Sequence, residues 1–413
     1  MPGANSLETL SGWFKESYAS KVTNLIPDTV YYAREAKAVE KSSQTGGDYK
    51  HPVILTSEQG ITKAGSSAGT FSLNSPIAMS TKQATLAGSN FVLRTAFDYE
   101  TLTRLEGKNS FETETKPVIK NMLDSAFQYQ EMDIMWGQSG IGTISDVSSA
   151  PVYTITTAEF APGIWFGSEG RKITAYSSAG VLKGSATITT YDLEARTFTT
   201  DVAIPGAANT DVLYFTEGGS ANEMAGIHKI MTATGSFMGI NGTNYKLWTP
   251  PTAYAVGGAL SFNHIQKAIK RAYKHGLGKK SKGCVVVLNP DTWTTLANDE
   301  AALRAYDASF TKSEFNNGAE NIKFYSVAGT VEIMAHDMMK EGYAFIHPQV
   351  SKCLEKVGSR PNPTFDIPGQ PEKEKFLRTL ENSAGVETRN YWNCAIFTPL
   401  RSQFQLLSGI VNP

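Results

Sequence analysis

Residues able to do chemistry are spread thinly along this chain. The run 283–296, GCVVVLNPDTWTTL, reads as a buried strand over 284–288, stopped by Asn289-Pro290, with a short helix opening at Asp291. The end of such a strand is where an open α/β domain usually holds its active site. Here it offers Asn289, Asp291 and threonines, with no adjacent His, Lys or glycine-rich phosphate cradle. Asp291 is expected to cap the helix by accepting backbone N–H bonds, and Trp293 to pack.

The other motifs dissolve on the same terms. In HGLGKKSKG, 275–283, a phosphate loop would need glycine where Tyr273 stands, five residues before Gly278, so the reading is a helix end and a solvated turn. GSSAG, 65–69, spells GxSxG around Ser67, but its flanks are polar loop and not the strand and helix of a hydrolase elbow. His336-Asp337 ends a run alternating Val331, Ile333 and Ala335 with no serine or cysteine beside it, so a structural histidine is expected. The histidines, His51, His228, His264, His275, His336 and His347, never fall at metal-binding spacing. Glu112 and Glu114 point apart on a helix, and ahead of a helix N-terminus they complement its dipole. Cys284, Cys353 and Cys394 lack CxxC spacing, which argues against a disulfide framework or zinc site and fits a reducing compartment. Asn241-Gly-Thr243 is a glycosylation sequon without a secretion signal. No catalytic, cofactor-binding or metal-ligating residue is therefore assigned, and no enzyme activity or cofactor is expected.

Composition agrees. The chain has 413 residues, with 38 basic against 39 acidic side chains and a net charge of −1, which removes the main electrostatic argument for a polyanion binder. Only 19% of residues are charged, a surface suited to burial against partners. No apolar run approaches a membrane span, so a soluble protein made in the cytoplasm, without a membrane partner, is expected.

The elements follow from periodicity. Residues 1–49 carry two amphipathic pieces, the first striped by Leu7, Leu10, Trp13, Phe14 and Tyr18, the second holding Val30, Tyr31 and Ala38. Residues 50–98 have β-rich ends, 52–56 and 91–97, around a polar Gly/Ser/Thr middle, and read as a long two-stranded arm. A helix is predicted over 115–136, with Pro117 in its first turn and Ile119, Met122, Leu123, Ala126, Phe127 and Ile134 inward, while Lys120, Asp124 and Glu131 lie mostly off that face. GQSGIG, 137–142, reads as a hinge. Residues 143–222 hold short β-branched runs with frequent turns, the signature of a small antiparallel β domain with a private core of Ile173, Tyr176, Val181, Ile188 and Phe198. Beyond lie a helix over 261–273, helical texture over 296–310, strands at 329–338 and 342–348, and a final strand in the tail, an α/β layered domain.

Taken in order, these parts resemble the Hong Kong 97-type major capsid proteins of tailed bacteriophages. LSGWFKESYASKVTNLI is similar to the family's N-arm, and GITKAGSSAG through KQATLAGSNFVL to its extended E-loop. EMAGIHKIM–FMGINGTNYKLW is similar to the passage after its spine helix, CVVVLNPDTWTTL to its strand, N-P, helix element, and GTVEIMAHDMMKEGYAFIHP to its paired strands turning near Gly342. The resemblance implies an α+β fold: N-terminal arm 1–49, E-loop 50–98, spine helix and P-domain 99–142, inserted all-β domain 143–222, P-domain strands 223–258, A-domain 259–348, and A/P-domain return with C-terminal strand 349–413.

It also implies a structural protein that self-assembles through hexamers and pentamers into an icosahedral head, located in the virion and made in the bacterial host cytoplasm. Its partners would be a scaffolding protein, a portal, a decoration protein, and packaged double-stranded DNA met without sequence specificity. Some such shells crosslink a loop lysine to asparagine, a role that would fall to Lys63 or Lys82. The alternative is an encapsulin-like nanocompartment shell; an α/β enzyme with an accessory β domain comes third.

Overall fold

Strand Cys284–Leu288 is apolar at every position because it is covered on both faces. Val285 and Val287 enter one core with Phe345 and Leu406, while Cys284, Val286 and Leu288 enter a second with Ile346 and Leu407. The computed structural model describes residues 30–40, 49–67, 69–98, 108–215, 219–279, 282–297, 322–365, 378–379 and 384–412. The first amphipathic stripe, Leu7 to Tyr18, and nearly all of the helical texture at 296–310 lie outside these residues.

In chain order, α1 (Tyr32–Glu35) leads into β1 (Lys37–Glu40). Strands β2 (Tyr49–Ile54), β3 (Thr81–Leu86) and β4 (Ser89–Asp98) precede α2 (Lys108–Trp136), the longest helix. Six strands follow: β5 (Gly142–Asp146), β6 (Val152–Ile155), β7 (Lys172–Tyr176), β8 (Leu182–Asp192), β9 (Thr197–Thr200) and β10 (Val212–Phe215). The short pair β11 (Ser236–Phe237) and β12 (Ile240–Asn241) leads to β13 (Tyr254–Gly258), α3 (Phe262–Lys274), β14 (Cys284–Leu288) and α4 (Pro290–Ala297). Then come β15 (Ile322–Ser326), β16 (Gly329–Ala335) and β17 (Tyr343–His347). The return is β18 (Glu355–Thr364), β19 (Arg378–Thr379), β20 (Gly385–Phe397) and β21 (Gln405–Ile410).

Two sheets and a barrel organise the body. One sheet runs β13-β21-β17-β14-β16-β15, with α3 burying Ile265, Ala268, Ile269 and Ala272 in the core on one of its faces. The other runs β1-β18-β20-β19, with β4 also paired to β20. Strands β5 to β10 close into a barrel in the order β10-β5-β6-β9-β8-β7, which leaves no edge open to pairing.

Several expectations change. Helix α2 starts at Lys108 and carries Pro117 in its interior; a proline there removes one i→i−4 bond, which neighbouring turns can sustain. Glu112 and Glu114 thus lie within the helix, their side chains outside the described residues. Met122, Ala126 and Ile134 are buried as predicted, but Glu131 is buried too. The arm's return strand is β3, paired with β2 from Tyr49↔Leu86 to Ile54↔Thr81. The run 91–97 belongs to β4 and pairs with β20, where Phe91 stacks on Trp392 at 5.1 Å.

Strands β16 and β17 flank β14, parallel and antiparallel respectively, and do not pair with each other. Strand β15 was not foreseen. In the barrel Ile173, Ile188 and Phe198 are buried, but Tyr176 is only half-buried and Val181 is exposed on the β7–β8 turn. Nor is that core private: it is continuous with Trp136, Met338 and Phe345.

Candidate functional site

At the end of β14 the buried polar groups are taken up by structural hydrogen bonds, while Asp291 is exposed. Asn289, not Asp291, supplies the cap: its Oδ1 accepts from the Asp291 N–H at 2.9 Å, while its Nδ2 donates to the Met339 carbonyl at 2.7 Å. Asn289 is fully buried, so losing either bond would orphan a desolvated amide. Thr292 Oγ1 bonds Asn412 Oδ1 at 3.0 Å. The strand end is a joint between α4, the turn at 336–341 and the C-terminal residues.

A second joint holds the N-terminal segment that carries α1. Glu131 Oε1 accepts the N–H groups of Tyr31 (3.1 Å) and Tyr32 (2.7 Å), and its Oε2 that of Ala33 (2.6 Å). His336 Nδ1 accepts from the Met338 N–H at 3.1 Å, which leaves its Nε2 proton to donate to Glu131 Oε1 at 3.0 Å. Tyr32 donates its hydroxyl to His347 Nε2 at 2.9 Å, because His347 Nδ1 donates to the Pro348 carbonyl at 2.7 Å. Lys356 Nζ reaches the Ala33 carbonyl at 2.5 Å and Asn362 Oδ1 at 2.5 Å; burial lowers its pKa. Strand β1 then continues parallel to β18. His336 is structural, as its alternating run suggested, and the acid it orients is a clamp. The missed signal was Glu131 itself, one of two acids, with Asp133, set among Met132, Ile134, Met135 and Trp136 in a run too apolar to face water.

A third joint bolts the barrel to the six-stranded sheet. Lys340, buried, donates to Glu159 Oε2 at 2.5 Å and to the Gly140 carbonyl at 3.1 Å, with its ammonium 4.3 Å above the Trp136 ring. Burial works against ionised Glu159, but the Lys340 ammonium holds it below the usual carboxylate range. Arg196 grips Glu341 with two bonds, 2.9 and 3.1 Å, and the backbone of 158–163 pairs with that of 337–342. The segment 137–142, expected as a hinge, forms a tightly packed neck. Gly226 N donates to the Gly137 carbonyl at 3.0 Å, and a Cβ on Gly137 would lie 2.2 Å from the Met224 carbonyl oxygen.

The hairpin is the opposite of these joints. Its base is packed: Tyr49, Leu55, Ala84 and Leu86 share a core with Trp248 and Phe397. Its tip, 57–79, is exposed almost throughout and presents Ile61 (71%), Phe71, Leu73 (79%), Ile77 and Met79 to solvent. Lys63, Lys82 and Ser67 are exposed there as well.

The remaining motif residues have local duties. His264 completes a capping box with Ser261, His275 ends α3, His51 lies 4.4 Å from the Phe397 ring, and His228 Nδ1 meets Ser139 Oγ at 2.9 Å. Asn241 Oδ1 accepts from the Thr243 N–H at 2.8 Å, a local turn. Gly278 adopts φ +77°, and a Cβ there would lie 2.7 Å from Ala328 backbone, so the would-be phosphate loop is a turn packed on β15–β16. The three thiols are buried and free; burial pushes Cys284 and Cys394 up to about 12. Among the described residues no three His, Cys, Asp or Glu side chains gather as metal ligands, and no helix is long and apolar enough to cross a membrane.

No family model matches the chain, and no curated protein matches it. Solved structures do. A chain of the Cyanophage A-1(L) capsid asymmetric unit aligns with 98% of this chain and 99% of its own length, at 10% identity and TM-score 0.55. The capsid of the native GTA particle aligns with 99% of this chain and 100% of its own, also at 10% and 0.55, and that of the empty particle at 10% and 0.52. This chain therefore has the fold of the tailed-phage major capsid proteins. It is the Hong Kong 97-type fold, α+β, carrying here a small all-β barrel.

Proposed function

We propose that this chain is a major capsid protein whose copies assemble, through hexamers and pentamers, into the icosahedral head of a tailed bacteriophage around double-stranded DNA. The observation that carries the reading is the contrast between body and limb. The body is closed by buried joints, while residues 57–79 extend from it with large apolar side chains uncovered. Exposed apolar surface of that kind marks an interaction site, and an extended hairpin gains area and backbone partners when laid on a neighbour. The shared fold over nearly the full chain supplies the geometry in which the neighbour is a second copy.

In this reading residues 1–49 are the arm, 50–98 the extended loop, 99–142 the spine helix with P-domain, 143–222 the inserted domain, 223–258 the P-domain strands, 259–348 the A-domain and 349–413 the return. The protein is made in the host cytoplasm and ends in the virion, its work structural and not catalytic. Scaffolding, portal and decoration proteins are its further partners. Electron microscopy of the purified protein, with nuclease-protected nucleic acid measured on the particles, tests the proposal. Closed shells are expected from the purified protein, and particles purified from infected cells are expected to protect DNA. Persistent monomers at high concentration, or shells filled with an enzyme cargo, would overturn it.

A further inference from the structure

A cleft of about 650 Å³ opens between β4, the last turns of α2 and the neck, a size suited to a small ligand. Its walls are aromatic, with Phe91, Tyr129, Phe215 and Trp392 among its lining, and its acids are Asp133 from α2 and Glu223 from the segment after the barrel. Phe91 and Trp392 stack within 8° of parallel. Glu223 is anchored, its Oε2 accepting the Gln138 N–H at 2.8 Å. Asp133 is only 5% exposed, it lines the cleft, and among the described residues no donor or cation meets its carboxyl group.

A buried acid left without a partner, beside a second acid, is an unusual expense in a folded chain. Burial and the neighbouring Glu223 hold Asp133 well above the usual carboxylate range, and burial lifts Glu223 to about 7. The other charged or titratable groups that act on the pair or its walls are Lys340, Cys394 and Arg171. The Arg171 guanidinium lies 5.0 Å over Tyr129 and 5.2 Å over Phe215, so these walls already hold one cation on a ring face. Among the described residues neither Arg171 nor Lys340 forms an ion pair with Asp133 or Glu223.

We propose that this cleft binds a small organic cation, an alkylammonium or a short diamine, with its ammonium between Asp133 and Glu223 and its methylenes against Phe91 and Trp392. The carboxyl pair supplies the charge and the donor sites, and the stacked rings supply apolar area and a favourable quadrupole. Because the ammonium replaces protons held by the pair, binding releases protons and tightens as pH rises.

The probe is 1,4-diaminobutane, titrated calorimetrically into the full-length protein at about pH 8 and about pH 5.5, with 1,4-butanediol as the uncharged control. Saturable binding of the diamine at the higher pH is expected, weakened about tenfold or more at the lower pH, with no heat from the diol. Asp133→Asn keeps the shape of the neutral acid and should abolish binding. Phe91→Leu, at a half-buried position on β4, should weaken it by about tenfold without touching an acid. Equal heats from diamine and diol, binding unchanged in both variants, or binding that strengthens in acid would each overturn the proposal. The test reads a single subunit's cleft, so its result is independent of whether the chain builds a shell.

Discussion

At the scale of single residues, several groups that looked able to do chemistry, His336 and Asn289 among them, are spent on holding the chain together. Glu131 accepts three backbone N–H groups of the arm and the Nε2 proton of His336. Removing its carboxyl group would leave several buried donors unpaired, each costing about 1–3 kcal/mol. Glu131→Ala is therefore expected to lower stability by about 3–5 kcal/mol, and Glu131→Gln by roughly half as much, since an amide offers one acceptor and places a donor against donors. Urea denaturation would show this; parent-like midpoints in both variants would remove Glu131 from the arm's anchorage. His228 gives a pH signature. Burial and Lys340 push its pKa down to about 4, whereas an unfolded histidine titrates near 6.5. The unfolded chain thus takes up the proton first as pH falls from 6.5 towards 4, and stability drops through that window by on the order of 3 kcal/mol. Glu223, raised to about 7, acts in the opposite sense, its stability contribution fading as pH climbs from about 4.5 to 7. The clean readout is therefore a difference: the urea midpoint of His228→Gln should fall less than the parent's between pH 7 and pH 4.5, and parallel profiles would refute the assignment.

At the scale of elements, local pattern and long-range docking separate. Helix α2 from about residue 115 onward, the all-apolar β14 and the frequent turns of the barrel were legible because each follows from a period or a turn residue within a short window. What covers each face was not. Val181 reads as core by its neighbours' alternation, yet the β7–β8 turn carries it into solvent. Glu131 reads as surface, yet backbone at Tyr32, 99 residues earlier, supplies a donor to it. Strand partners failed for the same reason: β4 reads as half of a hairpin but pairs with β20, a choice made by the tail. The barrel shows the consequence most clearly. Its strands are local, but its core runs into Trp136 and Phe345, and Lys340 and Arg196 tie it to the six-stranded sheet. Excising residues 143–215 should strip cover from these aromatics and leave a remainder that aggregates. Arg196→Ala, at a partly exposed pair, should cost only about 1 kcal/mol. Solubility and urea midpoints of the two variants decide this, and a soluble, cooperatively folding remainder would mean that the barrel is an independent module after all.

At the scale of the whole molecule, the proposed capsid function has stability and assembly draw on different surfaces, which makes them experimentally separable. The joints at Glu131, Asn289 and Lys340 lie inside one subunit, whereas Ile61 and Leu73 are 71% and 79% exposed and contribute little to its fold. Burying such a side chain against a neighbour gains about 1.5–3 kcal/mol, and in a closed shell the gain recurs at every copy. The double substitution Ile61→Ser, Leu73→Ser should therefore leave the subunit's urea midpoint within about 0.5 kcal/mol of the parent, as surface changes usually do. The same change should raise the concentration needed for assembly by about a hundredfold, the factor expected when roughly 3 kcal/mol is lost per contact. Analytical ultracentrifugation across a concentration series measures the second quantity, and denaturation of dissociated subunits the first. Unchanged assembly would show that the hairpin tip lies free of its neighbours. A destabilised subunit would show that the tip folds back on its own body, and either result would remove the contrast on which the capsid reading rests.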